Sequence, residues 1–558
     1  MRSTFIIAVL SLSVMACGQP AGEPASSGQP PPAPSDAPAV PAGPVLIEGI
    51  GPLHHPIRTS SKEAQAWFDQ GMSLVFAFNH EEAVRSFERA AQLDAAAAMP
   101  YWGIAWAVGP NYNLDVDDPR AKQAFEAITK AQALAANGPE TERAYIRAQA
   151  VRYSNDPKAD RAALARRYSQ AMRELMRNYP DDLDAATLYA ESLMNLRPWK
   201  LWTLEGKPAE DTLEIMSVLE SVMARNPDHV GANHYYIHTV EASPTPGRAL
   251  PSARRLENLV PAAGHLVHMP AHIYARTGDH AGAAKANLAG AEADRVYLKT
   301  APPGGFYGMA YYTHNLHFLA DSNMMQGRFA DAKQAADDLT GALGPHVQMM
   351  PMGESMLTMK TSVLLRFGQY ADIIALPDPP ADQPVSTAWW HFARGVAFAR
   401  TGKSDEAARE RQALSDEMAR VSDSALFGGT GLEPARAILT LAGSVLDAHL
   451  AAARGNRQES IALWRKVVAS GDRVAYDEPP VWFYPLRESL GGELLRAGNA
   501  AEAERVFRED LVKHPRNARA LFGLRESLAR QKKDSTWVEL AFDAAWKQAD
   551  VKLSVEGL

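Results

Sequence analysis

The sequence predicts an all-α fold: a right-handed superhelical solenoid of about 10–12 stacked helix pairs. Three observations predict it. Small residues recur at fixed slots, prolines recur one repeat length apart, and the chain of 558 residues is too long for a single core. The composition is 46% hydrophobic and 22% charged, an ordinary profile for a water-facing fold. The net charge is −8, so the clustered basic face of a nucleic-acid binder is not expected and no nucleic-acid partner is assigned.

The first 17 residues read as a secretory signal. Arg2 supplies a positive start, Phe5 to Ala16 form an apolar stretch too short to span a bilayer, and Cys17 follows a small residue. Val14-Met15-Ala16-Cys17 resembles a bacterial lipobox, with Val14 where Leu is more usual. The resemblance implies lipidation of Cys17 and a membrane partner reached through that lipid. Gly18 in place of Asp resembles the lipoproteins sorted to the outer membrane. Plain cleavage after Ala16 is the alternative. Cys17 is the only cysteine, which removes disulfides and thiolate metal sites. Residues 18–50 are rich in Pro, Ala, Ser and Gly and read as a disordered tether. Residues 51–558 are the expected solenoid.

Within it, residues 64–97 set the frame: Trp67 and Gly71 four apart, then Ala83-x3-Phe87, then the turn at Asp94-Ala95. Residues 484–517 repeat the frame with Gly491, Ala503-x3-Phe507 and Pro515. Pro227 and Pro261 bound the unit 230–263. Later units begin at Gly264 and near Thr313, Glu354, Ala388 and Leu441. Gly71, Ala105, Ala190, Ala271, Ala320, Gly395, Ala448 and Gly491 share one slot on first helices. Ala83, Ala249, Ala283, Ala332, Ala407 and Ala503 share one on second helices. Larger side chains there would force paired helices apart. This frame resembles the tetratricopeptide repeat (TPR) over about residues 60 to 550, with Ser535 to Val551 as a capping helix. Longer strings, among them AFNHEEAVRSFERAA, GHLVHMPAHIY and FREDLVKHPRNARALFGL, resemble one bacterial family of TPR proteins. That resemblance carries the fold and assigns no activity.

Small residues and prolines alone fix the register, so the histidines can be placed independently. Slots 2, 5 and 9 of a TPR first helix face the concave groove. In three consecutive units these slots hold Gly231, His234 and His238; His265, His268 and His272; and His314, His317 and Asp321. Seven of nine are His, where 16 His in 558 residues would place about 0.3 by chance. Imidazoles three or four residues apart on a helix can share one transition-metal ion, and helices about 8–10 Å apart let a neighbour complete the set. One ion cannot use all seven, so two sites sharing the central helix are expected. Three His per ion on helices resembles coupled dinuclear copper centres in geometry alone. Cu or Zn is the expected metal, with Fe and Ni also suited to imidazole. Glu241 falls on the same face, as ligand, base or acceptor for an imidazole N–H. Pro270, between His268 and His272, should kink the helix or restart it.

Trp102 and Trp106 occupy groove slots of the second unit and predict an aromatic groove for a peptide or apolar ligand. The loop 197–202 and the Tyr-rich insertion 298–312 flank the histidine units and are placed to roof them. No HExxH, Walker A, GxSxG or dinucleotide fingerprint occurs. Two functions are expected from these residues. The first is a membrane-anchored solenoid, on the periplasmic face of the outer membrane, with a multi-histidine metal site for metal handling or metal-dependent redox chemistry. The second is a metal-free scaffold gripping a peptide or protein partner in its groove, with the polar stripe as ligand surface.

Overall fold

The structure, a computed structural model, describes residues 43–350 and 352–558. The signal segment, Cys17 and most of the tether lie outside the described residues. Those described are almost entirely helical, with one short hairpin pairing Leu426–Phe427 to Glu433–Pro434. Twenty-six helical segments form twelve consecutive pairs, from Lys62–Phe76 with His80–Leu93 to Ala518–Arg530 with Thr536–Ala545. Two first helices are each broken in two, Gly264–His268 from Pro270–Arg276 and Gly353–Leu357 from Met359–Arg366. The described residues form an all-α solenoid of stacked helix pairs.

The small-residue slots act as predicted. The slot alanines, Ala83, Ala105, Ala190, Ala271, Ala320 and their counterparts, are fully buried. A Cβ added at Gly71 or Gly103 would fall 2.5 or 2.6 Å from the Phe87 ring. At the other end of the chain Gly491 and Gly523 hold Phe507 in the same way. The Ala-x3-Phe motif thus seats one ring between two first helices, and the glycines make room for it. Side-chain caps start several helices: Ser61, Asn79, Asp182 and Asp279 accept from backbone N–H groups of the first turn.

Three expectations need amendment, and one helix needs comment. Residues 45–49, assigned to the tether, are docked: Gln70 donates to the Val45 carbonyl and accepts from the Ile47 N–H, and the Gly49 carbonyl accepts from Ala262. Apolar Ile47, Ile50, Leu53 and Ile57 pack on the core and hold this strap down. The units near Ala388 and Leu441 begin earlier, at Pro384 and Ala435, because Pro384 opens one helix and the hairpin delivers the other. The terminal helix spans only Thr536–Ala545. Finally, Ala435–Ala453 is long and apolar enough to cross a bilayer, with mean hydropathy 1.2, but 61% of that stretch is buried as a core helix.

The groove is also not open where the histidines stand. The first pair folds back onto the fifth, so the Phe76 ring packs directly on Gly231, leaving no room for a Cβ. Each half of the chain has one continuous apolar core. The C-terminal half closes on itself too, with Trp546 against Gly327 and a buried Arg366–Glu488 ion pair.

Candidate metal centre

Three first helices carry the cluster: Val230–Val240, the broken helix Gly264–His268 plus Pro270–Arg276, and Thr313–Gln326. Pro270 is the second segment's first residue, so it restarts the helix as expected. His234, His238, His265, His268 and His272 are at most 2% exposed. They were expected in a groove and lie instead in the interior, because the first pair fills the turn from within.

The imidazoles form two groups. His234, His238 and His265 offer nitrogens within 4.8 Å of one another, and so do His268, His272 and His314. The first group spans the first and central helices; the second spans the central and third. Glu241 joins them, accepting from His238 Nδ1 at 2.9 Å and from His272 Nδ1 at 2.5 Å.

Hydrogen bonding fixes the tautomers. His234 Nδ1 donates to the Phe76 carbonyl at 2.6 Å, and His268 Nδ1 donates to Asn287 Oδ1 at 2.6 Å. Asn287 Nδ2 donates onward to Ser322, which keeps its oxygen toward His268. His234, His238, His268 and His272 thus carry their proton on Nδ1 and present a bare Nε2. Burial, and then the neighbouring imidazoles, push His234, His265, His268 and His314 well below the ordinary histidine range. His272 is lowered by burial against the opposing pull of Glu241. A second proton per ring is therefore disfavoured. Burial alone would raise Glu241, but His238 and His272 outweigh it and bring the carboxyl down to about 2.

The bare Nε2 atoms of His268 and His272 face each other, and His314 and His265 each bring a further Nε2 to a group. His268 Nε2 stands 2.8 Å from His272 Nε2 and 3.1 Å from His314 Nε2, and His265 Nε2 stands 3.1 Å from His234 Nε2. Two nitrogens bound to one ion at about 2.0–2.1 Å lie roughly 2.9–3.4 Å apart. His238 Nε2 and His265 Nδ1 are buried with no partner. Aromatic rings wall the cluster: Phe78 lies 4.5 Å from His234 and 5.2 Å from His265, Tyr311 4.9 Å from His265, and Phe318 5.5 Å from His272.

Two residues expected as ligands stand outside both groups. His317 has no partner nitrogen, because one position further along the helix Phe318 takes the place against His268 and His272. Burial lowers its imidazole to about 4. Asp321 belongs to neither imidazole group, and burial raises it to about 7. Trp102 and Trp106 do not line a groove. They are 1% and 3% exposed, packed with Phe68, Tyr145 and Phe76, since the closed turn makes that face core. The flanking segments do roof the cluster: Trp199 reaches His238 and the insertion brings Tyr307 and Tyr311.

No protein-family profile matches the chain, and no curated protein is similar to it in sequence. Solved structures similar to it include yeast Tom70, 12% identical, covering 84% of this chain and 96% of that one at a TM-score of 0.33. A human IFIT1 dimer with m7Gppp-AAAA is 12% identical over 89% of this chain and 92% of that one, TM-score 0.32. The TPR domain of P58(IPK) is 10% identical over 84% and 98%, TM-score 0.22. Similarity at this level carries no function to this chain.

Sequence reasoning missed Asn287, which orients His268, and Phe78, which floors the cluster. Asn287 was visible as a lone amide in the Ala/Gly-rich helix His280–Leu298. A separate group, His55 with Asp182 and Asp184, ties the strap to the solenoid. Asp184 accepts from His55 at 2.7 Å and His229 at 3.2 Å, and Asp182 accepts from Tyr145 and caps a helix, so these groups already satisfy one another.

Proposed function

We propose that this chain holds two transition-metal ions, each on three imidazoles, and uses them for metal-dependent redox chemistry or metal handling. One observation carries the reading: His268 and His272 spend their only N–H groups on Asn287 and Glu241, yet their bare Nε2 atoms lie 2.8 Å apart. Two lone pairs at that distance repel unless a cation stands between them. A proton is disfavoured by burial, and a metal ion fits.

Charge favours copper. Six neutral imidazoles add no charge, and Glu241 is the carboxylate hydrogen-bonded to them. Two divalent ions would leave about three positive charges uncompensated in a buried site, and two cuprous ions about one. Imidazole suits Cu(I) and Cu(II), and no thiolate competes. In this reading the N-terminal segment anchors the chain through lipid on Cys17 at the periplasmic face of the outer membrane.

The test is elemental analysis of the purified chain after anaerobic reconstitution with Cu, Zn, Fe and Ni in turn. The expected result is two equivalents of copper, falling to one in His268→Ala/His272→Ala. No uptake of any of the four would overturn the reading and leave a metal-free TPR scaffold that binds protein partners.

A further inference from the structure

Beside the cluster lies a cavity of about 950 Å³, in the size range of small-molecule sites. Its inner wall is the pair Tyr112 and Trp199, whose rings are 5.1 Å apart and each 5.5 Å from His238. Phe125, Tyr153 and Tyr168 continue the aromatic lining, and Thr430 of the C-terminal half closes one side.

Arg152 lines this cavity and is 5% exposed. Its Nη2 donates to the Pro110 carbonyl at 2.7 Å, and its guanidinium lies 4.5 Å over the Tyr168 ring. Its Nε and Nη1, and the Tyr168 hydroxyl, are buried without partners. The other arginines differ. Arg161 is paired with Asp118, Arg197 with Asp211 and Glu210, and Arg166 is exposed. Glu191, the carboxyl nearest in charge to Arg152, makes no ion pair with it. Buried donors left unsatisfied are costly. A planar carboxylate can take two parallel hydrogen bonds from the edge that pairs the second Nη2 N–H with Nε–H or with an Nη1–H.

We propose that this cavity binds a small aromatic carboxylate, its carboxylate on Arg152 and its ring against Tyr112 and Trp199 beside His238. The binding site stands on the cavity and Arg152; only the ring's place beside a reaction centre rests on the metal reading of the histidine cluster.

The test measures binding of benzoate, 4-hydroxybenzoate and 3-(4-hydroxyphenyl)propionate to the full chain, metal-loaded and metal-stripped, by calorimetry. At least one should bind with 1:1 stoichiometry in both forms. Arg152→Met should weaken it about 10- to 100-fold, as should changing the carboxylate to a carboxamide, and Arg166→Ala should leave it unchanged. If Arg152→Met does not fold, Arg152→Lys serves, with an expected loss of about tenfold because a point charge replaces the fork. Failure of all three acids to bind overturns the proposal. So does binding that ignores Arg152 and vanishes with the metal. Carboxylate binding to a chain that takes up no metal would sink the metal reading and leave this site standing. Metal uptake without carboxylate binding would do the reverse.

Discussion

Replacing Glu241 by Gln changes one oxygen to an amino group at the point where the two imidazole groups meet. In the native protein this 1%-exposed carboxylate accepts from His238 and His272 together. An amide has one accepting oxygen, so it serves one of the two rings and turns an N–H donor toward the other. That second ring must move its proton from Nδ1 to Nε2, and an Nε2–H cannot bind a metal ion. Two hydrogen bonds to an ionised acceptor contribute about 1.5–3 kcal/mol each, and the variant keeps one neutral bond of about 1 kcal/mol. The low end of the difference, about 2 kcal/mol, corresponds to about thirtyfold in affinity. The loss falls on one group, because His238 and His272 belong to different groups. Competition with a chromophoric cuprous chelator reads both quantities. The variant should retain one tight equivalent and hold the second about 10- to 100-fold more weakly. Two equivalents at native affinity would refute the argument that Glu241 fixes the tautomers of both rings.

Three further outcomes follow from the packing. Gly231→Ala places a methyl group against Phe76 and should lower stability by about 1–3 kcal/mol in a chemical melt; an unchanged midpoint would mean that the first and fifth pairs do not close as described. Arg366→Met strands Glu488 at 1% exposure and should cost about 3–5 kcal/mol, while Arg366→Met/Glu488→Met should recover most of it. Burial holds the His280 imidazole down at about 4, with its Nδ1 enclosed. A depressed histidine contributes no penalty above its unfolded value of 6.5 and an increasing one as pH falls from 6.5 toward 4. His280→Gln should therefore gain about 2 kcal/mol on the native protein between pH 7 and pH 5; a pH-independent difference in stability would contradict the burial argument.

The fold was legible because its packing rule is local. In the first and eleventh pairs one ring must fit between first helices, and Gly71 with Phe87, or Gly491 with Phe507, announces that within a single repeat. The histidine stripe was legible for the same reason, since the register came from residues other than the histidines. What escaped depends on contacts far apart in the chain. The Phe76 carbonyl that orients His234 is 158 positions away, and no periodicity says which repeats will touch. The same closure turned Trp102 and Trp106 from expected groove residues into core. His317 stands outside both groups for a finer reason: it and Phe318 both lie within one turn of His314, and only the neighbouring helix decides which faces it. Arg152 gave no signal, because a buried guanidinium with idle donors is defined by its surroundings.

The closure also explains how a helical solenoid can present a site suited to chemistry. In an open solenoid the first-helix slots face water, where imidazoles exchange protons freely and a metal ion competes with solvent for them. Here Phe76, Phe78, Tyr311 and Phe318 exclude water from those slots. Burial disfavours charge on His234, His265, His268, His272 and His314, and backbone or side-chain acceptors orient His234, His238, His268 and His272. Most of the entropy cost of gathering six imidazoles is thus met by folding rather than by metal binding. Where the wall consists of Tyr112 and Trp199, it separates the cluster from the large cavity and not from core, so a ligand in that cavity would meet His238 through two aromatic faces. Trp199→Ala should thin that wall without removing an imidazole from either group. The metal stoichiometry should then stay at two while the cluster becomes accessible to small chelators, read as faster metal removal. Loss of metal at equilibrium would instead mean that Trp199 holds His238 in place.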